Sequence, residues 1–169
     1  YAQRYCLDYT ILRYFNCYGP HQTAQFVISR FIKAVTNDKP PLINGDGNQI
    51  RSYTYVSDTA NATILAALSD EVNGLTLNIG NGISLVSLST LANTIIDLVG
   101  KGGDITPEYA REFQNTDRLE SREIFERYCD SSKAQNLLGW APKVSLNTGL
   151  TKVIETGVIY DGWINYYDE

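Results

Sequence analysis

Thr10 to Pro20 reads Thr-Ile-Leu-Arg-Tyr-Phe-Asn-Cys-Tyr-Gly-Pro, and this stretch narrows the choice of folds more than any other part of the chain. Thr10 to Phe15 is β-branched and aromatic without strict alternation, the pattern of a strand buried on both faces of a parallel sheet. Asn16 closes that strand. In an open α/β sheet the ligand crevice lies beyond the carboxyl ends of the strands, so Asn16 and the Tyr18-Gly19-Pro20 turn stand where ligands bind. A core strand followed by an ordinary turn is the plain alternative. A parallel strand also needs neighbours that arrive through crossovers. Tyr1 to Leu7 reads as the tail of a helix already under way, with no initiating Met, so the expectation is a piece of a longer protein.

At 169 residues the length suits one domain with its own core. The net charge of −5, from 14 Lys and Arg against 19 Asp and Glu and without a basic run, gives no electrostatic support for a nucleic-acid or anionic-membrane partner. Cys6, Cys17 and Cys129 are widely spaced and form no Cys-x-x-Cys pair, which fits a reducing cytosol and a cytoplasmic location. His21 is the sole histidine, and no cluster of carboxylates and thiolates has metal-binding spacing. Neither a membrane-spanning run nor a signal peptide is expected.

The periodicity predicts a helix over 25–36 with Val27, Ile28, Phe31, Ile32 and Val35 on one stripe, ended by Asn37 and Pro40-Pro41. Leu42-Ile43, the turn Asn44 to Gly47, and Gln49 to Val56 read as a hairpin-like pair. Ser57 is the expected N-cap of a helix over 58–68, with Asp58 at its positive start and Ala60, Thr63, Ile64, Ala67 and Leu68 sharing a face. A strand over 75–79 runs into Gly80-Asn81-Gly82, and a short extended piece follows over 83–85. Ser87 caps a helix bearing Leu88, Leu91, Ala92, Ile95 and Val99, which stops at Gly100. Residues 104–122 read as a loop with at most one strand. Beyond them come an extended 126–129, a helix capped by Asp130-Ser131-Ser132 and ended at Gly139, and a last helix capped by Asn147 with Leu150, Val153, Ile154 and Val158 inward.

Gly45-Asp46-Gly47 and Gly80-Asn81-Gly82 both fail the dinucleotide pattern, because Ile50 and Leu85 stand where its third glycine belongs. Turn chemistry accounts for them. No tyrosine has a lysine four residues later, and His21 has no companion nucleophile of recognisable motif. Arg51, on a short strand among tyrosines, could offer a planar fork to a phosphate, or it could pair with Asp46 or Asp58. Arg111, Arg118 and Arg122 read individually as solvated.

The order of the pieces carries more. Leu12-Arg13-Tyr14-Phe15-Asn16-x-Tyr18-Gly19-Pro20, Gly45-Asp46-Gly47-x-Gln49-x-Arg51-x-Tyr53-x-Tyr55-Val56-x-Asp58, Asn78-Ile79-Gly80 and Asp130-x-Ser132-Lys133-Ala134-x-x-x-Leu138-Gly139-Trp140-x-Pro142 follow one another across nearly the whole chain. Together they resemble the carboxyl-terminal half of an extended short-chain dehydrogenase/reductase (SDR) of the NAD-dependent nucleotide-sugar epimerase/dehydratase type. The resemblance implies an α/β fragment. Residues 1–24 would be the end of a Rossmann domain, with its last strand or strands and helices, and 25–169 a small mixed α/β substrate-binding region. The glycine-rich NAD loop and the catalytic Tyr-x-x-x-Lys would lie upstream of Tyr1, so this chain would hold no catalytic residue and would not bind NAD alone.

The same resemblance places Tyr14, Phe15 and Asn16 by the cofactor and sugar, with Asn16 also on the sugar diphosphate. Val27 would line the nucleotide pocket, and Arg51 would hold the diphosphate. Arg122 or Arg111 would replace the family's arginine before the Asp-x-Ser-Lys-Ala motif, whose usual Arg-x-Gly-Asp signature is missing. The implied parent is a homodimeric enzyme, first of all a 4-epimerase of a nucleoside-diphosphate hexose, with a 4,6-dehydratase or decarboxylase as alternatives. A noncatalytic binding or interaction module is the alternative from another class. Apolar stripes such as Ile28, Phe31 and Ile32 are expected to be exposed in the fragment and to favour self-association.

Overall fold

The computed structural model describes residues 1–110 and 124–157. In chain order the elements are α1 (Ala2–Tyr5), β1 (Ile11–Tyr14), β2 (Cys17–Tyr18), α2 (Val27–Thr36), β3 (Leu42–Asn44), β4 (Ile50–Ser52), β5 (Thr54–Tyr55), α3 (Val56–Ala67), β6 (Thr76–Ile79), β7 (Leu85–Ser87), α4 (Leu88–Val99), β8 (Glu108–Ala110), β9 (Glu126–Arg127), α5 (Ser132–Leu138) and α6 (Leu146–Thr156). They form two units. Among the described residues, the first comprises 1–17, 51–85 and 127–146, and the second comprises 18–50, 86–110, 124–126 and 147–157.

In the first unit β1 and β6 run parallel, with Ile11 opposite Thr76 and Tyr14 opposite Ile79. Leu77 and Ile79 form a core with Ala62 and Ala66 of α3, Val72, Ala134 of α5 and Trp140, and Leu12 packs against it. The β-branched run of β1 predicted burial on both faces, yet Ile11 and Tyr14 are each 50% exposed. The reason is ladder supply: among the described residues β1 has one sheet neighbour, β6, where an interior parallel strand has two.

Helix α3 corrects two expectations. Its N-cap is Tyr55, which makes no side-chain cap bond, and Ser57 is exposed inside the first turn. Its buried residues are Asp58, Thr59, Ala62 and Ala66, whereas Ile64 is 58% and Leu68 80% exposed. The small side chains of Ala62 and Ala66 let the helix sit close to Leu77 and Ile79, and that choice turns the larger aliphatics outward.

In the second unit α2 packs against α4, and β3 pairs in parallel with β8, Leu42 opposite Glu108. Ile28, Phe31, Ile32 and Val35 of α2 are fully or nearly fully buried, as are Leu91, Ala92, Ile95 and Ile96 of α4. Burial of each such large side chain contributes about 1.5–3 kcal/mol. The α2 stripe is therefore spent inside the unit, and the expected exposure of Ile28, Phe31 and Ile32 is overturned. The hairpin reading of 42–56 is also overturned, since the sheet partner of β3 is β8 and not β4. The intervening turn is closed by a side chain: Gln49 Nε2 donates to Asn44 O at 3.1 Å.

Local capping follows the residues closely. Ser87 Oγ accepts from Thr90 N at 3.0 Å at the start of α4, and Gly100 ends it in the left-handed region at φ 80°. Gly139 ends α5 in the same way at φ 58°. Asp130 Oδ1 accepts from Ser132 N at 3.0 Å ahead of α5, and that bond holds its carboxyl below the usual range. Asn147 lies within α6 and not before it, while Leu150 and Val153 are buried as expected. Val158 lies outside the described residues, and Ile154 is only partly buried.

Candidate functional site: the exit of strand β1

The carboxyl end of β1 is where the first unit brings its candidate residues together. Phe15 N donates to Ile79 O at 3.0 Å, so the parallel ladder runs one residue beyond the strand. Asn16 then turns into the left-handed region at φ 42°. Asparagine tolerates this conformation far better than most non-glycine residues. Its Nδ2 donates to Ser52 O at 2.8 Å, and its own O accepts from Thr54 N at 3.1 Å. Asn16 thus holds the segment that follows Arg51.

Thr54 completes the junction. It is buried, its Oγ1 donates to Phe15 O at 3.2 Å, and the same oxygen accepts from Asn81 N at 2.8 Å. Asn81 in turn accepts from Ile83 N and Ser84 N through Oδ1, at 3.0 and 3.2 Å, which closes the turn after β6. One hydroxyl therefore joins the exits of both parallel strands to the Arg51 segment. Spacing could not reveal this, because the partners lie 39 and 27 residues from Thr54.

Electrostatically, the Arg51 charge acts on a buried phenol at this junction. Arg51 is partly buried, and Tyr53 is buried. Burial pushes the Tyr53 phenol well above the usual tyrosine range, with the Arg51 charge pulling the other way. Tyr53 is a neutral wall at physiological pH, and Arg51 supplies the charge. Tyr14 lies at the end of β1 with its hydroxyl 2.9 Å from Thr63 Oγ1, and Phe15 follows it, half-buried.

The glycines nearby serve packing. A Cβ on Gly80 would come within 2.7 Å of Cys129 Cβ and 2.9 Å of Phe15 Cβ, and one on Gly82 would lie 2.1 Å from Cys129 O. Burial, followed by the neighbouring Asp130 charge, pushes the Cys129 thiol up to about 11. It stays protonated and inert at neutral pH. Because the obstacle at Gly82 is backbone, Gly82→Ala is expected to cost about 1–3 kcal/mol, the usual scale of overpacking. A urea midpoint unchanged from that of the parent would refute this close approach.

In the second unit, a Cβ on Gly47 would meet Ser89 Oγ at 2.1 Å. The space that glycine opens at both Gly-x-Gly turns is thus filled by the chain's own atoms. Packing within the chain accounts for the glycines of both turns.

Among the expected site residues, Tyr14, Phe15, Asn16 and Arg51 fall in the first unit. Val27 opens α2 in the second, half-buried. Arg111 and Arg122 lie outside the described residues, as does Arg118. Asp58 stands in the first turn of α3 as expected, and it is also a buried clasp. Its Oδ2 accepts from Lys143 N and Val144 N at 3.0 and 2.9 Å, and its backbone O accepts from Trp140 Nε1 at 2.9 Å. Among the described residues no group of three His, Cys, Asp or Glu side chains could hold a metal ion, and no helix is long and apolar enough to cross a membrane.

Comparison with known proteins adds the family. The family described as GDP-mannose 4,6 dehydratase matches residues 1–153. The UDP-glucuronate 4-epimerase of Thermodesulfobacterium geofontis is 34% identical over 156 residues, 91% of this chain and 44% of that protein. The UDP-N-acetyl-alpha-D-glucosaminuronate decarboxylase of Bacillus cytotoxicus is 36% identical over 152 residues, 88% of this chain and 46% of that protein. Among solved structures, the UDP-glucuronic acid 4-epimerase of Bacillus cereus, in complex with UDP-glucuronic acid and NAD, superposes with a TM-score of 0.77 at 30% identity. That match covers 92% of this chain and 48% of the epimerase. The chain spans about half the length of the relatives it matches. With a family match over almost its entire length and a fold shared with Rossmann-type epimerases, the chain belongs to the NAD-dependent extended SDR family of nucleotide-sugar epimerases and dehydratases.

Proposed function

We propose that this chain is the carboxyl-terminal, substrate-holding part of an NAD-dependent enzyme that acts on a UDP-hexose, and that the parent is a 4-epimerase working by transient oxidation at the sugar C4. The observation that carries this reading is the junction at the end of β1, where Asn16 is tied directly to the segment bearing Arg51. Residues 1–24 then belong to the end of the Rossmann domain and 25–169 to substrate binding. Arg51 grips the sugar diphosphate with its planar fork, and Asn16 serves that grip by holding the segment that bears Arg51. Tyr14 and Phe15 face the nicotinamide and sugar, Val27 lines the nucleotide pocket, and Arg122 or Arg111 reaches a phosphate or ribose. The remainder of the polypeptide holds NAD, which supplies the redox chemistry, and also holds the tyrosine base. The parent is a cytoplasmic homodimer, and this chain alone is inactive.

The contribution made here is positional. Binding energy taken from the diphosphate, remote from the reacting carbon, fixes the sugar in the orientation that the chemistry needs. A decarboxylase or a 4,6-dehydratase needs the same grip, and both activities appear among the names of relatives and of the matching family. The decisive experiment is the intact mass of the natural polypeptide together with its turnover of UDP-glucose. A mass near twice that of this chain with conversion to the C4 epimer is expected. A mass equal to 169 residues would remove NAD chemistry from the reading. Conversion to a 4-keto-6-deoxy product would replace epimerase with dehydratase.

A further inference from the structure

We infer that Asn16 is a positioning residue for Arg51, acting through Ser52 and Thr54, an inference that rests on the nucleotide-sugar reading of this site. In a strand ladder, a residue facing a neighbouring segment uses its own N–H and C=O on that segment. Asn16 uses its C=O in this way, on Thr54 N at 3.1 Å. The donor to Ser52 O is instead its side-chain Nδ2, at 2.8 Å. The carboxamide thus stands in for a backbone amide while the backbone itself turns at φ 42°.

Two groups flanking Tyr53 are therefore bracketed by one residue, and the bracketed Ser52 is the immediate neighbour of Arg51. Thr54 Oγ1 on Phe15 O, at 3.2 Å, braces the bracket from the other side. A guanidinium that engages an anion through two parallel N–H groups depends on the orientation of its plane, so the tether of its strand controls its grip. Asparagine meets both demands at this position: it accepts the left-handed backbone, and its amide reaches a carbonyl.

The test is a double-mutant cycle in the natural full-length polypeptide, read by calorimetric titration with UDP-glucose. Asn16→Gly keeps the left-handed backbone and removes the amide without adding charge. Asn16→Asp keeps the shape but, ionised, cannot donate. Each is expected to weaken binding about tenfold, the upper range of one hydrogen bond. In an Arg51→Ala background the same Asn16→Gly change is expected to have almost no further effect, a coupling that a merely structural role would not produce. Losses that add in full would make Asn16 an independent contact and overturn the inference, as would unchanged affinity in both folded Asn16 variants. Unchanged affinity in Arg51→Ala itself would instead sink the nucleotide-sugar reading, and the positioning role with it.

Discussion

Asp58→Ala is expected to lower the unfolding free energy by about 3–6 kcal/mol, since two hydrogen bonds to a charged group contribute roughly 1.5–3 kcal/mol each. The carboxylate is buried, and its Oδ2 is the acceptor for both Lys143 N and Val144 N. Removing it strands two backbone donors where the chain leaves α5 for α6. The loss is large against a typical domain stability of about 5–15 kcal/mol. Urea denaturation of the natural polypeptide would measure it. Asp58→Asn is expected to cost less, because its amide oxygen can still accept. A change below about 1 kcal/mol for Asp58→Ala, the scale of an ordinary surface substitution, would show that the clasp contributes little.

Arg51→Ala is expected to weaken UDP-glucose binding by roughly ten- to a hundredfold, the equivalent of about 1.5–3 kcal/mol for a charge-assisted contact. Its melting temperature should stay close to that of the parent, because Arg51 is only partly buried and the core of the first unit is built from Leu77, Ile79, Ala62, Ala66 and Trp140. Arg51→Lys should fall between the two, since lysine keeps the charge and loses the fork. Equal affinity in all three proteins would remove Arg51 from the diphosphate site. Unfolding of Arg51→Ala would make its role structural.

Helices α2 and α4 were legible because their information is local. Apolar residues at helical spacing, Ser87 before the first turn and Gly100 beyond the last act within a few residues of one another, and the structure keeps them where the residues put them. The strand over 75–79 and the short helix ending at Gly139 were legible for the same reason. Within the candidate site, Asn16 and Arg51 were visible as residue types in an ordered set of motifs. Nothing in their spacing showed that the side chain of one holds the segment of the other.

Choice of partner was not legible, because pairing depends on groups far apart along the chain. Leu42–Asn44 looked like half of a hairpin, yet its ladder forms with Glu108–Ala110. Helix α3 offered two faces, and the one bearing Ala62 and Ala66 won because close packing on Leu77 and Ile79 favours small side chains there. Asp58 sat where a helix start attracts an acid, about 0.3–1 kcal/mol of dipole interaction. Two backbone N–H groups more than 80 residues away gave that carboxylate stronger bonds in a buried setting. Periodicity and capping are properties of neighbours along the chain and survive in any fold that keeps the helix. Ladder partners, buried faces and side-chain clasps are decided by which distant donors and apolar surfaces the folded chain brings within a few ångströms.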